Sequence, residues 1–311
     1  MLNCFISGAN IAGMDLTLLR AFVAVARVGN LTRASAQLHL TQPAVSLQLK
    51  NLQETLGVAL FTRTSHGLVL TRDGQALLPH AERALAAAGD VERAAAALRQ
   101  EVRGRLRIGT ILDPQFLRLG GFLKQLVETY PQIEPALRHG MSGWVVEQIR
   151  AQELDVGYYI GQPLDEGMPE GLFHAATLTH FQYRVLAPAG WKDRVSRARD
   201  WRSLAALPWI WTPPASAHHR LLSRRFADAG ATPVKVAEVD QETSMLDLVK
   251  SGVGLTLVRD ATAIAEAHAH ALTIVEGITV PTELTFVALT ARLDEPAIAA
   301  AFKLIESQWT I

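Results

Sequence analysis

Residues 30–57, NLTRASAQLHLTQPAVSLQLKNLQETLG, decide how the rest of the chain is read. They predict two short helices joined by a tight turn. The first covers about 32–38, and His39 and Leu40 make the connection. Thr41 is an N-cap for the second helix, because its hydroxyl can accept from a free amide of the first turn. Pro43 falls inside that turn, where a missing N–H costs nothing. Val45, Leu49, Leu52 and Leu56 then recur at helical spacing as a buried stripe. Pro43, Ser46, Leu47 and Lys50 face away from it, with Gln42 on its flank. Small polar groups, an amide and one cation suit base edges: Gln can bond adenine bidentately, Ser can donate or accept, and Lys matches phosphate or guanine. On spacing alone, a surface helix pair with no DNA role reads equally well.

The flanks tip that balance. Leu19, Phe22, Val23 and Ala26 put an apolar stripe on a preceding helix, the third wall of a helix-turn-helix core. After Gly57 comes VALFTRTSHGLVLT. Val58 and Leu60, then Leu68 and Leu70, flank a polar tip and predict two short strands forming a wing. Arg63 and His66 are expected at that tip, within reach of a flanking phosphate or the minor groove.

With these residues in view, the segment 14–109 resembles the LysR-type transcriptional regulators. The match lies in LTLLRAFVAVARVGNLTRASAQLHLTQPAVSLQLKNLQETLGVALFTRT, in GLVLTRDGQALL and in GRLRIG. It is long and nearly ungapped; beyond it, the likeness is one of layout. Two positions depart from the pattern. Gln53 stands where Glu is common, which removes an ion pair with a wing arginine. Leu47 stands where Arg or another polar residue is common and, if it reaches DNA, would meet a thymine methyl rather than a phosphate. The resemblance implies that Gln42, Pro43 and Ser46 read bases while Arg33, Thr41, Lys50, Arg63 and His66 hold the backbone.

The chain has 311 residues and 49% apolar content, enough for two or more folded units. Formal net charge is zero. Residues 14–72, however, carry Arg20, Arg27, Arg33, Lys50, Arg63 and Arg72 against Asp15 and Glu54, a net +4 that leaves −4 elsewhere. A local positive field is what phosphate contact needs, and it makes binding salt-dependent. Cys4 is the only cysteine, so no disulfide forms within the chain and a reducing compartment is expected. No apolar run approaches a membrane span. Residues 1–13 lack a basic start and a continuous apolar core, and so make a poor signal peptide. They read as a disordered extension or an upstream start-codon choice, with a small functional arm as the other reading. The cytoplasm of a bacterium is the expected location.

Residues 71–103 are rich in Ala, Leu, Glu and Arg, strong helix formers. Leu78, Ala81, Leu85, Ala88, Val91, Ala95, Leu98 and Val102 form a seam for another helix, and Pro79 is placed to bend the first turns. A helix packed on its own domain is one reading; the resemblance implies pairing with a second subunit. Two heads would then read half-sites about one helical turn (~34 Å) apart. Beyond Gly104, apolar runs at 106–109, 133–137 and 154–160 alternate with helices at 116–130 and 143–152, which points to a parallel α/β sheet. Strands at 181–187, 209–211, 234–239 and 254–258, with helices at 217–229 and 244–251, form a second unit. A last strand at 283–290 and a helix at 296–308 return to the first. The expected fold is therefore α/β overall: a winged helix-turn-helix at 14–72, a linker helix at 73–103, and at 104–311 an effector domain. The resemblance makes that domain two-lobed, of periplasmic-binding-protein type, with lobe I near 104–161 and 280–311 and lobe II near 162–279.

Ligands in open α/β sheets sit beyond strand carboxyl ends, near helix N-termini. That picks out Thr110, Ile111 and Asp113 after the first strand, Ser142 and Gly143 before the second helix, Tyr159 near a crossing, and Thr212. A helix start with a hydroxyl favours a carboxylate, and Tyr158, Tyr159, Trp209 and Trp211 offer an aromatic wall. A small organic acid or aromatic effector is expected. Asp113 opposes an anion unless it caps its own helix, and the two tryptophans read equally well as core.

Enzyme readings fare poorly. GMSGW at 140–144 lacks the spacing of a nucleophile elbow. SGVGLTLV at 251–258 lacks the third glycine of a phosphate loop and lies between helix and strand in the wrong order. His218-His219 and His268-x-His270 lack zinc-helix spacing and read as surface histidines. No metal and no cofactor are expected. The implied partners are promoter DNA, a small-molecule effector, a second copy of the chain as dimer or tetramer, and RNA polymerase, with no membrane. A solute-binding module with a degenerate head and an enzyme fused to a regulatory head remain the alternatives.

Overall fold

The computed structural model describes residues 15–64, 67–98, 102–111, 113–163, 167–198 and 200–309. The reading of residues 1–13 as an extension therefore lies outside the described residues, as does His66. The chain divides into two compact units, one up to Ala95 and one from Ala96.

The first unit follows its local signals closely. α1 (Leu16–Val28) starts at Asp15, whose carboxylate accepts from Thr17 N, and stops at Gly29 with φ 66°. α2 (Leu31–Gln37) is capped by Asn30. His39, at φ 54°, makes the turn into α3 (Gln42–Leu56), which starts at the expected Thr41 cap, with Oγ1 accepting from Ala44 N, and ends at Gly57 with φ 69°. Val45, Leu49 and Leu52 are buried with Phe22, Val25, Ala34 and Leu60. The wing is an antiparallel pair, β1 (Phe61–Thr64) and β2 (Gly67–Leu70), with Arg63 opposite Leu68. Arg63 thus belongs to a strand rather than to the tip. Gly67 is required here: a Cβ would sit 2.4 Å from Gly29 O, beside the Leu68 N to Gly29 O bond that docks the wing on the α1–α2 turn. α4 (Arg72–Leu98) runs through Pro79. Its seam is divided: Leu78, Ala81 and Leu85 pack on the core of their own unit, while Val91 is exposed. The side chains of Ala95 and Leu98 lie outside the described residues.

The second unit is α/β. β3 (Gly104–Thr110), α5 (Leu119–Thr129), β4 (Ile133–His139), α6 (Ser142–Arg150) and β5 (Val156–Ile160) alternate, and β3 pairs parallel with both β4 and β5. β6 (Phe173–Ala187) follows. Then come α7 (Lys192–Val195), α8 (Trp201–Ala205), β7 (Pro208–Trp211), α9 (Ala217–Asp228), β8 (Val234–Glu238), α10 (Glu242–Lys250), β9 (Thr256–Arg259), α11 (Asp260–His270), β10 (Thr273–Leu289) and α12 (Pro296–Trp309). One six-stranded sheet has the order β4-β3-β5-β10-β6-β9, while β7 and β8 form a separate parallel pair. The long strands β6 and β10 run antiparallel from Phe173↔Leu289 to Thr273↔Ala187. Through them the first lobe's sheet continues into the second. Residues 173–179 of β6 pair with 284–289 of β10, beyond Gly161 where the first crossing is expected. Phe122, Tyr158, Phe286 and Phe302 stack edge-to-face in the first lobe, and Trp201, Trp209, Trp211 and Phe226 fill the second.

Candidate nucleic-acid interface and ligand cleft

On α3 the buried stripe fixes the outward face. Gln42, Pro43, Ser46, Leu47 and Lys50 are all exposed, and Leu47, at 58%, is the most open of the large apolar side chains on that helix. Thr41 is exposed and engaged as the cap. Lys50 Nζ lies 3.6 Å from Glu54 one turn on, a solvent-exposed pair that a phosphate can displace at little cost. Arg33 is exposed on α2, where its Nη2 donates to Val28 O at 3.3 Å, and Arg63 is exposed on β1. Gln53 is the unexpected member. Its Oε1 accepts from Leu60 N at 2.7 Å and Phe61 N at 3.4 Å, which ties the end of α3 to the start of the wing.

In the second unit a cleft of about 780 Å³ opens beyond the ends of β3 and β9. Four of the expected effector residues line it: Ile111, Asp113, Ser142 and Thr212. Three do not. Thr110 is buried, with Oγ1 3.4 Å from both Arg138 O and His139 Nδ1. Gly143 donates its amide to Ala215 O at 2.9 Å. Tyr159 is buried on β5 with the Arg220 guanidinium 5.0 Å over its ring. The aromatic wall moves as well. Tyr158, Trp209 and Trp211 are core: Trp209 Nε1 donates to Leu204 O at 2.9 Å and Trp211 Nε1 to His219 at 3.0 Å. Trp144 and Tyr183 take their place in the cleft.

Sequence reasoning missed the charged centre. Asp113 Oδ1 accepts from Gln115 N at 2.7 Å, and Oδ2 pairs with Arg259 Nη2 at 2.8 Å, joining the loop after β3 to the end of β9. Arg259 also lies 4.4 Å over Phe116. Glu242, the first residue of α10, faces the same space, and burial pushes its carboxyl above the usual range, with Asp113 adding to the shift and Arg259 opposing it. His218 is not a surface residue: burial, with Arg259 nearby, holds it down to about 4, so it is neutral at pH 7. Its ring meets Tyr183 edge-on at 4.8 Å. Tyr183 OH, Thr212 Oγ1 and His218 Nε2 are buried without a hydrogen-bond partner among the described residues. Ser142 Oγ is satisfied, accepting from Ile160 N at 3.0 Å. Among the described residues no cluster of His, Cys, Asp or Glu could hold a metal ion, and no helix is long and apolar enough to cross a membrane.

Two family matches coincide with the two units. Residues 16–75 match the bacterial regulatory helix-turn-helix protein, lysR family, and residues 99–310 match the LysR substrate binding domain. The chain belongs to the LysR family. It is a LysR-type DNA-binding transcriptional regulator with a substrate-binding domain. The HTH-type transcriptional regulator XapR of Escherichia coli is 27% identical over 249 residues, 80% of this chain and 83% of that one. IlvR of Caulobacter vibrioides is 30% identical over 246 residues, 78% and 82% of the two chains. The solved structure of full-length CbnR with its target DNA, 23% identical, shares the fold at a TM-score of 0.63 over 94% of this chain and 99% of that one. In this LysR family member the α3 face and the cleft are thus the two sites with chemistry to explain.

Proposed function

We propose that this regulator reads dyad-symmetric operator DNA as a dimer or tetramer, and that a small molecule in the cleft sets its activity. The observation that carries the first half is the outward face of α3. Gln42, Pro43, Ser46 and Lys50 stand exposed together on a helix whose opposite face is locked into the core. Gln42, Pro43 and Ser46 meet base edges in the major groove, and Arg33, Thr41, Lys50 and Arg63 meet phosphates. That CbnR was solved on its target DNA supports the same use of the fold here. The head spans 14–72, the linker 73–103 and the effector domain 104–311. Exposed Val127, Leu137, Val234 and Val236 give the effector domain apolar surface for self-association, and Val91 does so for the linker. The protein acts in the cytoplasm on promoters, beside RNA polymerase, and not as an enzyme.

The cleft has the volume and the mixed apolar and polar lining of a small-molecule site. Of the expected effectors, an aromatic body fits beside Trp144. A plain organic acid has less support, because Gly143 N and Ser142 Oγ are already engaged. For the ligand to regulate, it must bind one arrangement of the protein better than another.

Selection of bound duplexes from a random-sequence pool tests the proposal. Enrichment of an inverted repeat is the expected result, and recovery of unenriched sequence would overturn it.

A further inference from the structure

We propose that the ligand of this cleft carries a protonated amine seated against Glu242, with Asp113, Tyr183 and Thr212 completing its acceptors and Trp144 flanking its body; the inference rests on the reading of the cleft as the effector site.

Charge comes first. Among the described residues the lining carries Asp113, Asp240 and Glu242 against Arg259 as its one lysine or arginine, with His139 and His218 as its histidines, and Arg259 is already paired with Asp113 at 2.8 Å. His218 adds no charge at pH 7. With Asp113 and Arg259 offsetting each other, a free carboxylate entering here would meet the carboxylates of Asp240 and Glu242 with no unpaired guanidinium or ammonium, whereas an ammonium would meet complementary charge. Glu242 is half-buried, and no hydrogen bond or ion pair holds it among the described residues. It sits on the first turn of α10, where the helix dipole favours the ionised form that burial resists.

The unpaired polar atoms give an independent argument. Tyr183 OH and Thr212 Oγ1 belong to side chains buried by more than nine-tenths, both residues line the cleft, and neither atom has a partner among the described residues. An ammonium offers three donors and no acceptor, so it needs several oxygens around it. Each hydroxyl oxygen has lone pairs that can accept from an ammonium, and a buried polar atom left unpaired is costly, so a ligand that pairs it is favoured. Both hydroxyls are closed to solvent, so the proposal requires them to be uncovered as the ligand seats. Trp144, Ile111, Ile160 and Met245 provide apolar surface for the rest of the molecule.

The test uses the full chain and three matched sets of probes: phenethylamine, phenylalanine and 3-phenylpropanoate; tryptamine, tryptophan and 3-indolepropanoate; pentylamine, norleucine and hexanoate. Thermal unfolding is followed for wild type, Glu242→Gln and Thr243→Trp, the last chosen because Thr243 lines the cleft and is exposed. The expected result is a saturable rise in melting temperature of about 5–10 °C near a hundredfold excess over Kd. It is confined to amine-bearing probes, with affinity at least tenfold weaker in Glu242→Gln and no rise in Thr243→Trp. Rises from the acids alone, or equal affinities in wild type and Glu242→Gln, would overturn the amine while leaving the cleft as the effector site. Rises that persist in Thr243→Trp would place the ligand elsewhere and overturn the effector-site reading itself. Silence from every amine-bearing probe would also overturn the proposal.

Discussion

Gln53 occupies a position where the family commonly has Glu, yet its Oε1 holds the amides of Leu60 and Phe61 at 2.7 and 3.4 Å. The contact needs an acceptor rather than a charge. Gln53→Leu should therefore orphan a sheltered amide and destabilise the head by about 1–3 kcal/mol, while Gln53→Glu should be nearly neutral; the melting transition of the head reads both. Lys50 is governed by a different balance. Its pair with Glu54 is exposed and spans 3.6 Å, so it contributes little to folding. Lys50→Ala should leave stability unchanged, weaken binding to every duplex and lower the salt slope of log K by about one. Fluorescence anisotropy across a salt series measures that slope. These residues were legible in the sequence because a single helix sets its two faces from neighbours three and four positions away. The cleft residues Glu242, Arg259 and His218 were not. They lie far apart in sequence from Asp113, and only the return of the second lobe brings them together.

Close packing of α6 against β3 and β5 rests on two glycines. Gly109 on β3 pairs with Gly157 on β5, and a Cβ on either would fall 2.6 or 2.4 Å from Val145 Cγ1 of α6. Val145 is fully buried in the core of that unit. Gly157→Ala should cost about 1–3 kcal/mol through overpacking and should push back the helix that carries Ser142 and Trp144 at the cleft. Denaturant unfolding measures the cost. Element type was readable along most of the chain because apolar runs mark buried strands and three- and four-residue steps mark helices. The lengths of β6 and β10 were not. Their crossing segments carry exposed or half-buried polar side chains such as Thr177, His180, Gln182, Thr279 and Glu283, and bulges at Ile274/Thr279 and Leu284/Thr285 break the two-residue alternation.

For the molecule as a whole, stability and function make separate demands. Asp155 is buried before β5 and accepts from Arg107 N, Nε and Nη2 at 2.8, 3.0 and 2.6 Å and from Arg292 Nη2 at 2.9 Å. Burial alone would raise its pKa, but the Arg107 hydrogen bonds and both guanidinium charges prevail and hold it below the ordinary 3.8. A carboxyl depressed in the folded state contributes fully above its unfolded pKa and loses that contribution as pH falls through the folded value. Asp155→Asn should therefore cost about 3–5 kcal/mol at neutral pH. The gap from wild type should close as pH falls below about 3.8, which unfolding curves at several pH values would show. Function rests instead on whether α3 reads sequence. The most direct measurement is the ratio of Kd for a scrambled duplex to Kd for the selected one, for wild type and Gln42→Ala at one salt concentration. The expected wild-type ratio is about 10³ or more, reduced about 10- to 100-fold in the variant with the salt slope unchanged. An identical ratio in the two proteins would contradict base reading by this helix face.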